Sequence, residues 1–296
     1  MRIGVDWGGT KIEAIALSED GATLWRERVA TTREDYAASV RTTVELIARA
    51  ERETGTTGTI GIGIPGVVVP RTGLVKNANS TWLIGKPFKT DIESMLGREI
   101  RCANDANCLA LSEATDGAGA HKRVVFAVIL GTGCGGGIAV DGKVHEGPHA
   151  IAGEWGHNPL PWQNPNEYPG AQCYCGRRGC IETWISGTSF ERRYSEVTGN
   201  RVRAPAIVQR AQSGEPAATA ILSRYQNQLA RALAHVINLL DPDIVVLGGG
   251  MSNVAQLYET LPQSVDEYVF GHGGNATIVP ATHGDSSGVR GAAWLW

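Results

Sequence analysis

Apolar positions along the first third of the chain fall into two rhythms. Runs at Arg2–Trp7, Lys11–Leu17 and residues 22–29 predict three consecutive β-strands, with Glu19-Asp20-Gly21 as a tight turn between the last two. Tyr36, Val40, Val44 and Ile47 then recur at helical spacing, which predicts an amphipathic helix over residues 35–53. Thr59–Ile64 reads as a short strand closed by Pro65-Gly66, and residues 99–103 as another that feeds a helix over 104–115. The glycine-bearing stretch 116–120 is the predicted hinge. After it the strand pattern restarts at Val124–Leu130, and residues 137–140 and 143–145 predict a hairpin around Asp141-Gly142. A loop-rich segment covers 153–182. Helices follow, the longest near 215–240, where Leu222, Tyr225, Leu229, Leu233, Val236 and Leu240 form one apolar stripe that belongs in a core. The buried strand 244–247 runs into Gly248-Gly249-Gly250.

Each half thus opens with strand, glycine turn and returning strand, and goes on in alternating helices and strands. This predicts an α/β protein of two lobes, residues 1–117 and 118–296, with a cleft between them and a last helix at about 285–296 packing back on the N-terminal lobe. A length of 296 residues suits two such cores. A net charge of −3 with no basic block excludes a nucleic-acid footprint. No signal-peptide pattern opens the chain and no apolar run reaches a membrane span, so a cytoplasmic protein is expected, with no membrane partner.

The glycines carry the first chemistry. In Asp6-Trp7-Gly8-Gly9-Thr10-Lys11, paired glycines between two strands let backbone N–H groups approach a bulky anion. Thr10 adds a hydroxyl, Lys11 a positive charge, and Asp6 a carboxylate placed to hold Mg²⁺ through water. Two glycines alone would also make a plain hairpin; the acid before them and Thr-Lys after them favour the anion site. The second turn is Gly131-Thr132-Gly133-Cys134-Gly135-Gly136-Gly137. Its Gly131, Gly133 and Gly136, like Gly61, Gly63 and Gly66, match the dinucleotide spacing, but both runs lead into strands where that fingerprint needs a helix. Gly248, Gly249 and Gly250 offer bare backbone on which a purine could lie, and no P-loop is present.

Three of the six cysteines, Cys173, Cys175 and Cys180, are packed into one turn, which favours a closed Cys₃His zinc site in a reducing compartment. His157, separated from Cys173 by fifteen intervening residues, is a candidate fourth ligand, with His145 and His149 as rivals. Glu154 and Glu182 flank these ligands, two acids able to accept hydrogen bonds from hydroxyls. Cys102, Cys108 and Cys134 read as small buried residues. Asn104-Asp105 stands where a strand meets a helix; Asn104 as N-cap explains the pair structurally, and Asp105 in the first turn, where the helix's positive end favours an anion, is a candidate base.

These features resemble the ASKHA superfamily and, within it, the ROK family of sugar kinases and repressors. The resemblance spans essentially the whole chain: residues 6–11, 131–137, Gly153-Glu154-Trp155-Gly156-His157, the cysteine cluster with Glu182, and His283-Gly284-Asp285. It implies two RNase H-like (actin/hexokinase-type) lobes with MgATP held by Gly4, the 6–11 turn, the 131–137 turn and Gly248–Gly250. It also implies His157 as the fourth zinc ligand, Asp105 as catalytic base, and Gly66, Asn79, Asn104, Glu154, His157 and Glu182 around the sugar. Residues 76–82 and 154–161 are most similar to bacterial fructokinases and mannokinases, so phosphorylation of fructose to fructose 6-phosphate is expected, with Trp82 excluding an N-acetyl group. N-acetylglucosamine kinase is the main alternative, then glucokinase. A repressor of this family would carry a DNA-binding domain before the first turn, which begins here at residue 4, and a non-catalytic sensor would lack the acid or the turn. Trp7 and Cys134 depart from the family's smaller or aliphatic residues, and Cys134 is expected to make activity thiol-sensitive. A homodimer is expected.

Overall fold

The predicted N-terminal strands form as β1 (Arg2–Trp7), β2 (Lys11–Leu17) and β3 (Thr23–Ala30), an antiparallel meander. The computed structural model describes residues 1–78, 80–271 and 276–296. β1 and β2 are apolar and buried on both faces, whereas β3 alternates as an edge strand does. The edge turns two guanidinium groups inward: Arg26 and Arg28 both pair with Glu13, which is fully buried. Helix α1 (Tyr36–Thr54) starts where Asp35 accepts Ala38 N–H at 2.8 Å and stops at Gly55, which is left-handed with φ 65°.

β4 (Thr59–Ile64) pairs parallel with β1, a two-residue ribbon of β5 (Val67–Val68) and β6 (Val75–Lys76) follows, and then come α2 (Phe88–Leu96), β7 (Arg101–Asn104) and α3 (Asp105–Thr115). The first sheet has the order β3-β2-β1-β4-β7. The expected strand 99–103 therefore sits about two residues later. The sequence reading does not identify α2, which has only Phe88 and Ile92 buried and no side-chain cap.

β8 (Val124–Leu130), β9 (Cys134–Val140), β10 (Lys143–Val144), β11 (Ile244–Gly248) and β12 (Ile278–Pro280) make a second five-stranded sheet, order β10-β9-β8-β11-β12. The β9–β10 hairpin turns through Asp141 (φ 51°) and Gly142 (φ 71°), the two positive φ values of a type I′ turn. Helices α4 (Glu182–Ile185), α5 (Gly187–Thr198), α6 (Ala204–Gln212), α7 (Pro216–Leu240) and α8 (Gln256–Asp266) complete the region. Leu222, Tyr225, Leu229, Leu233 and Val236 of α7 are buried, as the stripe predicts.

The final helix α9 (Ser287–Ala293) packs on β1, β4 and α3. Side-chain-free backbone makes this approach: a Cβ on Gly4 would lie 2.0 Å from Val289 O, and one on Gly61 1.8 Å from Ala292 O. Gly4 therefore lies in mid-strand beneath α9, not in the nucleotide turn, which corrects its assignment as an ATP contact. The chain divides into two compact units, one of Met1–His121, Gly137–Ala152 and Asp285–Trp296, the other of Lys122–Gly136 and Gly153–Gly284. Among the described residues, no helix is long and apolar enough to cross a membrane.

Candidate active site and metal centre

In the first unit the turn after β1 is drawn tight by Gly8 N–H donating to Lys11 O (2.9 Å), and Thr31 fastens it with Oγ1 donating to Gly8 O (2.6 Å) and N–H to Thr10 O (3.1 Å). Thr10 stays exposed and Lys11 half-exposed, its Nζ 3.9 Å from Glu13. Asp6, the last residue but one of β1, lies opposite Glu13. Burial pushes its carboxyl up to about 6, against the pull of Lys11. A bound Mg²⁺ would reverse that cost, so a part-buried acid beside an exposed Thr-Lys pair fits the ion.

Trp7 is fully buried, edge-on to Phe88 at 5.7 Å, and Trp82 stacks behind it with centroids 6.3 Å apart. Trp82 also backs the phosphate turn, since a Cβ on Gly9 would lie 3.6 Å from its Cη2, and its Nε1 is closed off from solvent. Trp82 is thus part-buried and part of its ring packs under the turn.

Asn104 caps α3 as predicted, with Oδ1 accepting Ala106 N–H at 2.9 Å, while its amide donates to Gly66 O at 3.3 Å. Two expected sugar contacts are thereby joined. Asp105 Oδ1 shares the Ala106 N–H at 2.8 Å. Asn79, named with them, lies outside the described residues.

In the second unit His157, Cys173, Cys175 and Cys180 bring four donor atoms within 4.8 Å of one another. His145 and His149 are not in this group. Cys175 Sγ and Cys180 Sγ are 3.6 Å apart, as are Cys173 Sγ and His157 Nδ1. A tetrahedral zinc with Zn–S bonds of ~2.3 Å would set sulfur–sulfur edges at ~3.8 Å, so the donor set and its spacing fit that ion. His157 Nε2 is 2.9 Å from the Tyr174 hydroxyl, leaving Nδ1 for the metal and giving the ring a fixed orientation. Glu154 begins the single turn at Trp155–His157 and accepts His157 N–H through its carbonyl.

The second glycine turn divides by use. Gly131 and Thr132 line a cavity of about 600 Å³, together with Gly187, Glu191, Arg203, Gly250 and Met251. Gly135 O accepts Trp155 Nε1–H, and a Cβ on Gly136 would lie 2.7 Å from the same ring. In the first unit Gly137 lies against α3, where a Cβ would meet Ala106 O at 2.2 Å. These three glycines serve packing. Cys134 N–H is already taken by Glu182 Oε2 at 2.9 Å, so it is not open to a phosphate. The Cys134 thiol is buried, and burial pushes it well up. Gly248 ends β11, and Gly249 (φ 80°) lies against the Leu130 backbone, so only Gly250 of that triplet lines the cavity. Glu191 and Arg203 escape the sequence reading because they stand on or beside helices with no glycine or motif to mark them.

A model described as the ROK family matches residues 2–296. Similar proteins include the N-acetyl-D-glucosamine kinase of Pasteurella multocida (strain Pm70), 40% identical over 301 residues, with 100% of this chain and 99% of that protein covered. The N-acetyl-D-glucosamine kinase of Vibrio cholerae serotype O1 (strain ATCC 39315 / El Tor Inaba N16961) is 41% identical over 299 residues, with coverage of 100% and 99%. Among solved structures, a ROK hexokinase from Thermus thermophilus matches with TM-score 0.88 and 30% identity, covering 99% of this chain and 97% of that one. A ROK family glucokinase from Streptomyces griseus, in complex with glucose and AMPPNP, matches with TM-score 0.83 and 29% identity, covering 99% and 98%.

Proposed function

This chain belongs to the ROK family, and from that premise we propose that it is an ATP-dependent kinase of N-acetylglucosamine. The observation that carries the reading is the pair of N-acetyl-D-glucosamine kinases matched from end to end at 40% and 41% identity. The expectation of fructose yields to it.

In the proposed reaction a sugar hydroxyl attacks the γ-phosphorus of ATP in line, and Asp105 accepts its proton. A carboxylate is a weak base, which suffices where the transition state is loose and the proton moves late. Asn104, whose amide donates to Gly66 O, is the first unit's proposed sugar contact, and Glu154, His157 and Glu182 are those of the second. The adenosine occupies the 131–132 and 187–254 cavity, and amides of the 8–10 turn face the phosphates. Asp6 would hold Mg²⁺, which supplies charge neutralisation on the phosphates. His157, Cys173, Cys175 and Cys180 would hold a structural zinc that keeps their loop in shape.

A coupled ADP-release assay across N-acetylglucosamine, fructose, mannose and glucose tests the proposal. The highest kcat/KM is expected with N-acetylglucosamine; preference for fructose or glucose would return the chain to another branch of the family. Metal analysis of the purified protein is expected to find about one zinc per chain, the count a Cys₃His site takes.

A further inference from the structure

Helix α4 is a four-residue segment that begins two residues after Cys180 and ends beside the second glycine turn. It is tied to the metal cluster at one end. Thr183 donates to Cys180 O through N–H (2.8 Å) and Oγ1 (2.7 Å), and Ile181 N–H donates to Asn158 O (2.8 Å), the carbonyl next to His157. The same segment meets the turn twice, at its first residue and two residues past its end. Glu182 Oε2 accepts Cys134 N–H at 2.9 Å, and Gly187 N–H donates to Gly131 O at 2.8 Å. The fit leaves no slack: a Cβ on Gly133 would lie 2.6 Å from Glu182 Oε2. This is the turn whose Gly131 and Thr132 line the cavity.

An acid whose only task was to bind sugar would have no need of a backbone amide of the nucleotide turn. We propose that Glu182 is a positioning residue for that turn: it clamps Cys134 N–H, sets Gly131–Gly133 for the nucleotide, and transmits metal loading of the Cys₃His cluster to nucleotide affinity through α4. The proposal deepens the kinase reading and rests on it. Oε1 of Glu182 makes no hydrogen bond among the described residues and stays available to the acceptor.

The test is calorimetric titration of ADP into sugar-free protein. Glu182→Gln keeps an oxygen that accepts the Cys134 N–H, and its ADP affinity is expected within about twofold of the wild type, because only the charge is lost. Glu182→Ala leaves the amide without its acceptor, and affinity is expected to fall about tenfold, the cost of an unmade hydrogen bond in the turn. An E182A protein that melts normally and binds ADP like the wild type overturns the clamp, as does an E182Q protein weakened as much as E182A. A second measurement needs no variant. Wild-type protein stripped of metal by a chelator is expected to lose ADP affinity several-fold and regain it on adding zinc. Unchanged affinity after stripping overturns the route through α4. The kinase reading fails separately, by absence of ADP release with any sugar, and the titration remains readable in that case.

Discussion

At the scale of single residues, the two acids of the first unit make opposite predictions. Asp105→Asn keeps the size of the side chain and the cap of α3, which depends on Asn104, but removes the proton acceptor. Turnover is expected to fall by ~10²–10⁴ while ADP binding survives; a near-normal rate in that variant removes Asp105 from the mechanism. Asp6 is held in a place that disfavours its charge, with its carboxyl raised from 3.8 to about 6. Below the unfolded value both states are protonated and the group is neutral to stability. As pH rises through the window up to about 6 the unfolded chain releases its proton first, so stability drains away, and above that the cost is complete. Asp6→Asn is therefore expected to raise the melting temperature at pH 8 in Mg²⁺-free buffer, to show no gain near pH 4, and to abolish Mg²⁺-dependent turnover. Equal melting of the two proteins at pH 8 would refute the strain. Asp105, the first residue of α3, is singled out by the family resemblance, and the spacing of residues marks only Asp6, which stands just before paired glycines. The sequence reading misplaces Gly4 and Cys134, because whether a backbone faces a phosphate or a neighbouring helix is decided by packing that no motif encodes.

At the scale of elements, a buried ion pair joins α7 to the loop ahead of the cysteine cluster. Arg231 is 3% exposed and Glu167 7% exposed. Arg231 reaches Glu167 through both terminal nitrogens, at 2.9 and 2.6 Å, and Pro161 O and Trp162 O through one of them; Gln228 adds a further bond to Glu167 at 2.8 Å. Burial pushes the Glu167 carboxyl up, but these partners outweigh it and hold it below the usual range. Arg231→Met leaves a buried carboxylate unpaired and is expected to cost about 3–5 kcal/mol in a urea melt, whereas Arg231→Met with Glu167→Leu is expected to recover most of it. Loss in the double variant as large as in the single would mean that loop packing, not the charge, holds the pair. The stripe on α7 was legible because Leu222 to Val236 repeat at one period over many turns. Arg231 sits inside that helix as an apparent interruption, and nothing in the sequence identifies Glu167 as its partner 64 residues earlier. Short elements such as α2 and β12 escape for the related reason that two or three buried residues set no period.

At the scale of the whole molecule, the chain's last helix closes the unit that its first strand opens. α9 lies on β1, β4 and α3, and the approach depends on glycine on both sides: Gly4 and Gly61 beneath the helix, and Gly291 within it, where a Cβ would lie 1.7 Å from Cys108 O. The first residue pairs therefore cannot reach their final packing until residues nearly 290 positions later arrive, and the Asp6 carboxylate sits 3.8 Å from where a Cβ of Gly288 would be. Gly61→Ala places a methyl 1.8 Å from Ala292 O, backbone against backbone, so no rotamer change can relieve it. Overpacking commonly costs about 1–3 kcal/mol where side chains can shift, and a cost at or above the top of that range is expected here, read as a large drop in melting temperature with loss of turnover as α9 is forced off β4. Gly250→Ala is the matched control: nothing lies within 4 Å of its Cβ and it borders the cavity, so the melting temperature is expected to hold while ADP affinity changes. A Gly61→Ala protein as stable as Gly250→Ala would show that α9 yields without cost, and the closure of the first unit would then have to rest on the salt bridge of Arg290 with Asp116 and the cation–π contact of Arg2 with Trp294 instead.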